Sequence, residues 1–277
     1  MTIVAGFRSK WGTLLCSDME EGDFGVKKQV RKLLHLEGQG WQADIGGSGS
    51  APVLDLAFKK LEKEFRSHPS SAELLVGHEE SIRSVLFQVH EKYVWPSNAR
   101  DYGIEFLISL NFSDSKQSLL YRTHEYVPQP IDQFVCIGAG AMLGNYLASH
   151  LYHSAKSRTQ FMYMAFFLVH EVRDFVSDCG QGTQIEITMN DGRHFSIHPL
   201  VAETDAMNEM PSADSFAQWF WDSLSPGEYS DNQLKGLETL DDADERFTEF
   251  WKDPEPGRRQ ALEHFKQLTS EKSEPKP

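Results

Sequence analysis

Short, mostly apolar runs open the chain at 2–8 and 13–18, predicting two strands joined by a tight turn at Ser9-Lys10-Trp11-Gly12. A second pair is expected at 32–36 and 41–45 around Gly38-Gln39-Gly40. The pattern then changes period. Val53, Leu54, Ala57, Leu61 and Phe65 recur at helical spacing behind an expected glycine-rich turn, Gly46-Gly47-Ser48-Gly49-Ser50, and a second helix over 71–93 stops before Pro96. Four strands are expected at 104–111, 118–123, 125–127 and 134–139, followed by helices over 141–153 and 159–178. A last hairpin, 183–189 and 194–197, turns at Asn190-Asp191-Gly192. Blocks of strands separated by helix pairs predict an α+β fold in which two stacked sheets are covered by helices on both outer faces.

Past residue 200 the character shifts. Asp, Glu, Ser and Pro become frequent, with amphipathic patches only at 215–224, 242–251 and 258–268, and the aromatic run Trp219-Phe220-Trp221 in the first of these. The expected organisation is a sandwich over 1–200, an added helical segment over 201–268, and a disordered tail over 269–277.

At 277 residues with 40% hydrophobic content, the chain has material for a large core. A formal charge of −14 argues against nucleic acid or an anionic membrane as partner. No stretch is long and apolar enough to span a bilayer, and no secretory leader opens the chain, so a cytoplasmic protein is expected. Cys16, Cys136 and Cys179 lie far apart without metal-ligand spacing. Of the 11 histidines, only His150 and His153 form a close helical pair, and no acidic partner stands nearby. No metal or other cofactor is therefore expected.

The candidate chemistry sits at the start, in Met1-Thr2-Ile3-Val4-Ala5. An initiator Met before a small residue is readily trimmed, which would leave Thr2 with a free α-amine beside its own hydroxyl. Such an amine titrates at about 7.7–8.0, so one residue would supply both nucleophile and base.

These residues, with Gly12-Thr13-Leu14-Leu15-Cys16-Ser17-Asp18, the run Lys28–Leu36, Ile45-Gly46-Gly47-Ser48-Gly49 and Phe134-Val135-Cys136-Ile137-Gly138-Ala139-Gly140-Ala141, resemble a proteasome β-subunit or the related HslV peptidase of the N-terminal-nucleophile (Ntn) hydrolase superfamily. The resemblance implies a four-layer αββα sandwich and threonine-type amide hydrolysis of a peptide or protein substrate through an acyl-enzyme. Thr2 would be nucleophile and base; Lys32, with Lys28 the competing lysine, would stabilise developing negative charge on the hydroxyl, and Asp18 would keep that lysine charged. The oxyanion would face a backbone N–H at Gly47, with Gly46 the close alternative. It also implies a self-compartmentalising homo-oligomeric ring, and admits an ATPase unfoldase as partner.

The sequence departs from that family in two places. Active members usually carry a serine where Ala139 stands. They also carry an Asp-x-x-Ser feature after the fourth helix, for which this chain offers Asp174 with Ser177, or Asp178 without a serine. An alternative alignment puts Met1 where the nucleophile belongs. Two other readings therefore stand beside the peptidase: a catalytically silent structural subunit, and an amidase acting on a small molecule.

Overall fold

The computed structural model describes residues 2–23, 26–68, 70–97, 103–153, 158–180 and 182–197. The expected C-terminal segment, the tail, the Trp219-Phe220-Trp221 run and Met1 lie outside the described residues.

The first sheet is built on the chain's opening hairpin, β1 (Ile3–Arg8) and β2 (Gly12–Asp18). After a small polar hairpin, β3 (Glu20–Asp23) and β4 (Val26–Gln29), come β5 (Leu33–Gly38) and β6 (Trp41–Gly49). Helices α1 (Ala51–Arg66) and α2 (Ser71–Val89) follow, then a π turn at His90–Val94 and a 3₁₀ turn at Trp95–Ser97. The next four strands are β7 (Ile104–Phe112), β8 (Gln117–His124), β9 (Val127–Pro130) and β10 (Phe134–Gly138). Helices α3 (Ala141–Leu151) and α4 (Arg158–Phe175) lead into β11 (Thr183–Met189) and β12 (His194–Ile197). One five-stranded sheet runs β10-β1-β2-β11-β12 and the other β5-β6-β7-β8-β9, with every neighbouring pair antiparallel.

The two sheets face each other across Val4, Leu15, Leu33, Leu107, Leu120, Val135 and Ile137. Strands buried on both faces lose the polar alternation of a half-exposed strand, which is why β1 and β2 are apolar or small on most positions, whereas β11 is buried throughout yet keeps Gln184 and Glu186. The helix pairs close the outer faces. Val53, Ala57, Leu61 and Phe65 of α1 recur every four residues on one stripe and join the core that covers the second sheet. Burying the Phe65 ring alone stabilises this layer by roughly 2–3 kcal/mol. On the other face, Phe161 of α4 meets Phe7 and Trp11 edge-on. The result is the four-layer αββα sandwich.

Three sequence expectations are corrected in detail. Gly46-Gly47-Ser48-Gly49 is not a turn before α1 but the last part of β6, in full register with β7. Its glycines meet a packing need: a Cβ on Gly46 would stand 2.6 Å from Val4 Cγ1 and 2.7 Å from Leu33 Cδ2. The short strand expected at 125–127 begins only at Val127, because Glu125 takes a left-handed turn conformation (φ 53°), and it runs through Pro128 and Pro130. Proline is tolerated there because β9 is an edge strand. The β3–β4 hairpin was not expected at all, since its polar residues carry no apolar period.

Candidate active site

Asp18 ends β2 with its side chain fully buried, and backbone and side-chain donors meet both of its oxygens. Its Oδ1 accepts from Ile3 N–H (3.0 Å) and from the Thr2 hydroxyl. Its Oδ2 accepts from Glu20 N–H (3.3 Å) and Gly180 N–H (3.0 Å). Lys32 completes the set, with Nζ 2.9 Å from both carboxylate oxygens. A buried carboxylate is tolerable only when its lone pairs are filled this way.

Lys32 Nζ also donates to Thr2 Oγ1 at 2.7 Å and to the Glu20 carbonyl at 2.5 Å. Its side chain is 10% exposed, so the ammonium sits beside the threonine hydroxyl with little water to screen it. Thr2 itself is buried. The structure thus brings Thr2, Asp18 and Lys32 together. Lys28 lies on β4 opposite Glu21.

Gly47 is placed by strand alternation. Leu33 turns both backbone groups toward the Gln184 side chain: its N–H donates to Gln184 Oε1 (3.1 Å) and its carbonyl accepts from Nε2 (3.0 Å). On the far side, Phe106 N–H turns away from β6 to Thr123 Oγ1 (2.9 Å). With Gly46 opposite Leu33 and Gly47 opposite Phe106, the antiparallel pattern directs the N–H and C=O of Gly47 off the β5 edge, one position past where β5 begins. Gly46 instead turns its backbone groups into the β6–β7 ladder. The next residue, Ser48, is buried, and its Oγ and the Thr2 carbonyl both crowd the position a Cβ on Gly138 would take.

The region after α4 differs from the pattern expected of it. Asp174, Ser177 and Asp178 are exposed, and Asp174 faces His170 across 3.5 Å. Among the described residues, none of the three has a hydrogen bond to Thr2, Asp18 or Lys32. The contact is made instead by a main-chain group, Gly180 N–H. Ala139 is exposed in the turn after β10. Cys179 is buried close by, and burial, reinforced by Asp18, pushes its thiol up to about 12, so it remains protonated and is no rival nucleophile. Gln184 and Ser48 carried no motif that sequence reasoning could isolate. His150, one of the two helical histidines, is exposed, with Nδ1 2.9 Å from the Tyr146 carbonyl of its own helix.

Two facing antiparallel sheets with helix pairs on both outer faces, and an N-terminal strand leading out of a threonine, are the architecture of an Ntn-type sandwich. No family model matches this sequence and no curated protein matches it; the likeness is to solved structures. Anbu (ancestral beta-subunit) from Yersinia bercovieri superposes with a TM-score of 0.63 at 11% identity, over 80% of this chain and 94% of that one. Anbu from Hyphomicrobium sp. strain MC1 gives 0.62 at 13%, over 83% and 99%. The subunit in the helical assembly of the Anbu complex from Pseudomonas aeruginosa gives 0.61 at 11%, over 82% and 98%. The chain therefore shares the fold of these proteasome-like subunits. Nothing in the likeness singles out HslV.

Proposed function

We propose that this protein is an N-terminal-threonine hydrolase that cleaves amide bonds in peptides or proteins after loss of Met1. One observation carries the reading: Lys32 Nζ stands 2.7 Å from Thr2 Oγ1 while gripping both oxygens of a fully buried Asp18. A surface ion pair has no reason to be buried against a hydroxyl at the chain start.

In this reading the freed α-amine of Thr2 takes the Oγ1 proton, and the Lys32 ammonium lowers the energy of the developing alkoxide. Oγ1 bonds to the scissile carbonyl carbon, and the carbonyl π pair moves onto oxygen, where the Gly47 N–H is the donor. Collapse breaks the C–N bond, and the departing amine leaves with the proton held by the α-ammonium. Water, deprotonated by the α-amine, then attacks the ester and returns the proton to Oγ1. The open edge beside Gly47 suits a substrate that adds as an extended strand. The Anbu complex from Pseudomonas aeruginosa forms a helical assembly, which supports homo-oligomerisation here as well.

A silent structural subunit is the second reading. It is favoured by the missing hydroxyl at Ala139 and by the exposure of Asp174, Ser177 and Asp178. Intact mass before and after an epoxyketone probe separates the two. Loss of Met1 with one adduct mapped to Thr2 supports the hydrolase; a retained Met1 without adduct leaves the silent subunit.

A further inference from the structure

Away from Thr2, four side chains from both sheets converge. His35 of β5 and Asp44 of β6 meet Glu186 of β11 and His194 of β12. His35 Nδ1 is 2.7 Å from Asp44 Oδ1, and His194 Nε2 is 3.5 Å from the same oxygen and 3.1 Å from Glu186 Oε2. The donor atoms of His35, Asp44 and His194 all lie within 4.8 Å of one another. The carboxylates are buried, at 1% and 3% side-chain exposure, whereas the imidazoles at 22% and 17% can be reached from solvent.

Two features point to a shared ligand rather than to simple ion pairs. Glu186 Oε2 and His194 Nε2 are buried 3.1 Å apart as an ion pair, but among the described residues neither has a partner in good hydrogen-bond geometry. Their alignment suits two donors turned toward a common centre. The opposite carboxylate oxygens are each held from behind. Asp44 Oδ2 accepts from Thr188 Oγ1 (2.5 Å), and Glu186 Oε1 accepts from Gln184 Nε2 (2.9 Å) and Ser196 Oγ (3.0 Å). Such outer partners orient metal-binding carboxylates.

We propose that His35, Asp44, His194 and Glu186 form a site for a divalent transition metal of the zinc class that bridges the two sheets. Two nitrogens and two carboxylate oxygens suit zinc, cobalt or nickel better than magnesium or calcium. Tetrahedral ligands at about 2.0–2.2 Å from one ion stand about 3.3–3.6 Å apart, so the pairs now at 2.7 and 3.1 Å must open slightly while the wider ones close. The imidazoles are stacked at 3.5 Å between centroids and must swing apart as they bind. The ion would tie β5 and β6 to β11 and β12, independently of the chemistry at Thr2.

The test uses the untagged full chain, stripped with a chelator and titrated with Zn²⁺ or Co²⁺. One equivalent per chain, tetrahedral Co²⁺ bands in the visible and a higher melting temperature are expected. The double variant His35→Ala/His194→Ala should bind at least about 100-fold more weakly, beyond what loss of an outer partner usually produces. X-ray absorption of the zinc-loaded wild type gives a readout that needs no variant: imidazole nitrogen and oxygen, without sulfur, around the metal. Absence of stoichiometric binding, undiminished binding by the folded double variant, or a sulfur-containing shell would overturn the assignment.

Discussion

The side-chain amide of Gln184 bonds both backbone groups of Leu33, accepting from its N–H at 3.1 Å and donating to its carbonyl at 3.0 Å. Gln184 thereby acts as a one-residue strand between the sheets. It fixes where β5 begins, and its Oε1 also accepts from Lys32 N–H at 3.1 Å. Replacing it by alanine orphans buried main-chain groups at about 1–3 kcal/mol each. Gln184→Ala should therefore unfold at lower urea. Its Thr2 should also react with the epoxyketone more slowly, because Lys32 is no longer held. As a positioning residue it should yield a fall in kcat larger than any change in KM.

Lys32→Met should leave the overall circular dichroism intact and cut the rate of probe addition at Thr2 by about 10²–10³, the usual loss when one preorganised charge donor is removed. Asp18→Asn should do more damage. An amide cannot accept from Thr2, Ile3, Glu20, Lys32 and Gly180 together, so loss of stability should precede any kinetic effect. Comparing urea midpoints of the two variants checks the order.

How legible this was in the sequence differs by element. The opening hairpin, α1 and the β11–β12 hairpin follow from period and turn residues alone, and Thr2, Asp18 and Lys32 follow from the resemblance. Gly180 was hidden because its contact uses a backbone N–H, which any residue carries. Gln184 looked like one polar position in a strand. His35 and His194 come from strands far apart in sequence, and only the facing of the sheets brings their rings into contact. The β3–β4 hairpin was hidden because its largely polar sequence carries no apolar period.

Two glycines should respond oppositely to alanine. At Gly47 a Cβ would meet Leu54 Cδ2 at 2.8 Å, Phe106 Cε1 at 3.0 Å and Phe58 Cζ at 3.1 Å. Overpacking of this kind destabilises by about 1–3 kcal/mol, and a displaced β6 should slow probe addition as well. Gly77 lies within α2, where the nearest atom is His68 Cε1 at 3.7 Å. Gly77→Ala should stabilise the fold by about 0.5–1 kcal/mol through helix propensity. Thermal unfolding of both variants reads the signs directly.

Acid sensitivity should have a marked contribution from His90. Burial holds its imidazole below the usual histidine value, only partly offset by Glu125. The unfolded chain therefore takes up the proton first. The stabilising contribution is complete above the unfolded value of about 6.5 and is lost as pH falls toward the lower folded value. In urea titrations between about pH 7.5 and 5, wild type should lose stability more steeply than His90→Phe.

Pro128 and Pro130 do more than mark an irregular strand. Lacking N–H groups, they leave β9 a rim that offers a passing extended chain few donors. At the other rim β5 starts only at Leu33, so Gly47 has no β5 residue paired to it. An extended chain thus meets one border short of donors and another that runs on past its edge strand, so uncontrolled aggregation is discouraged at the first and strand addition is confined to the second.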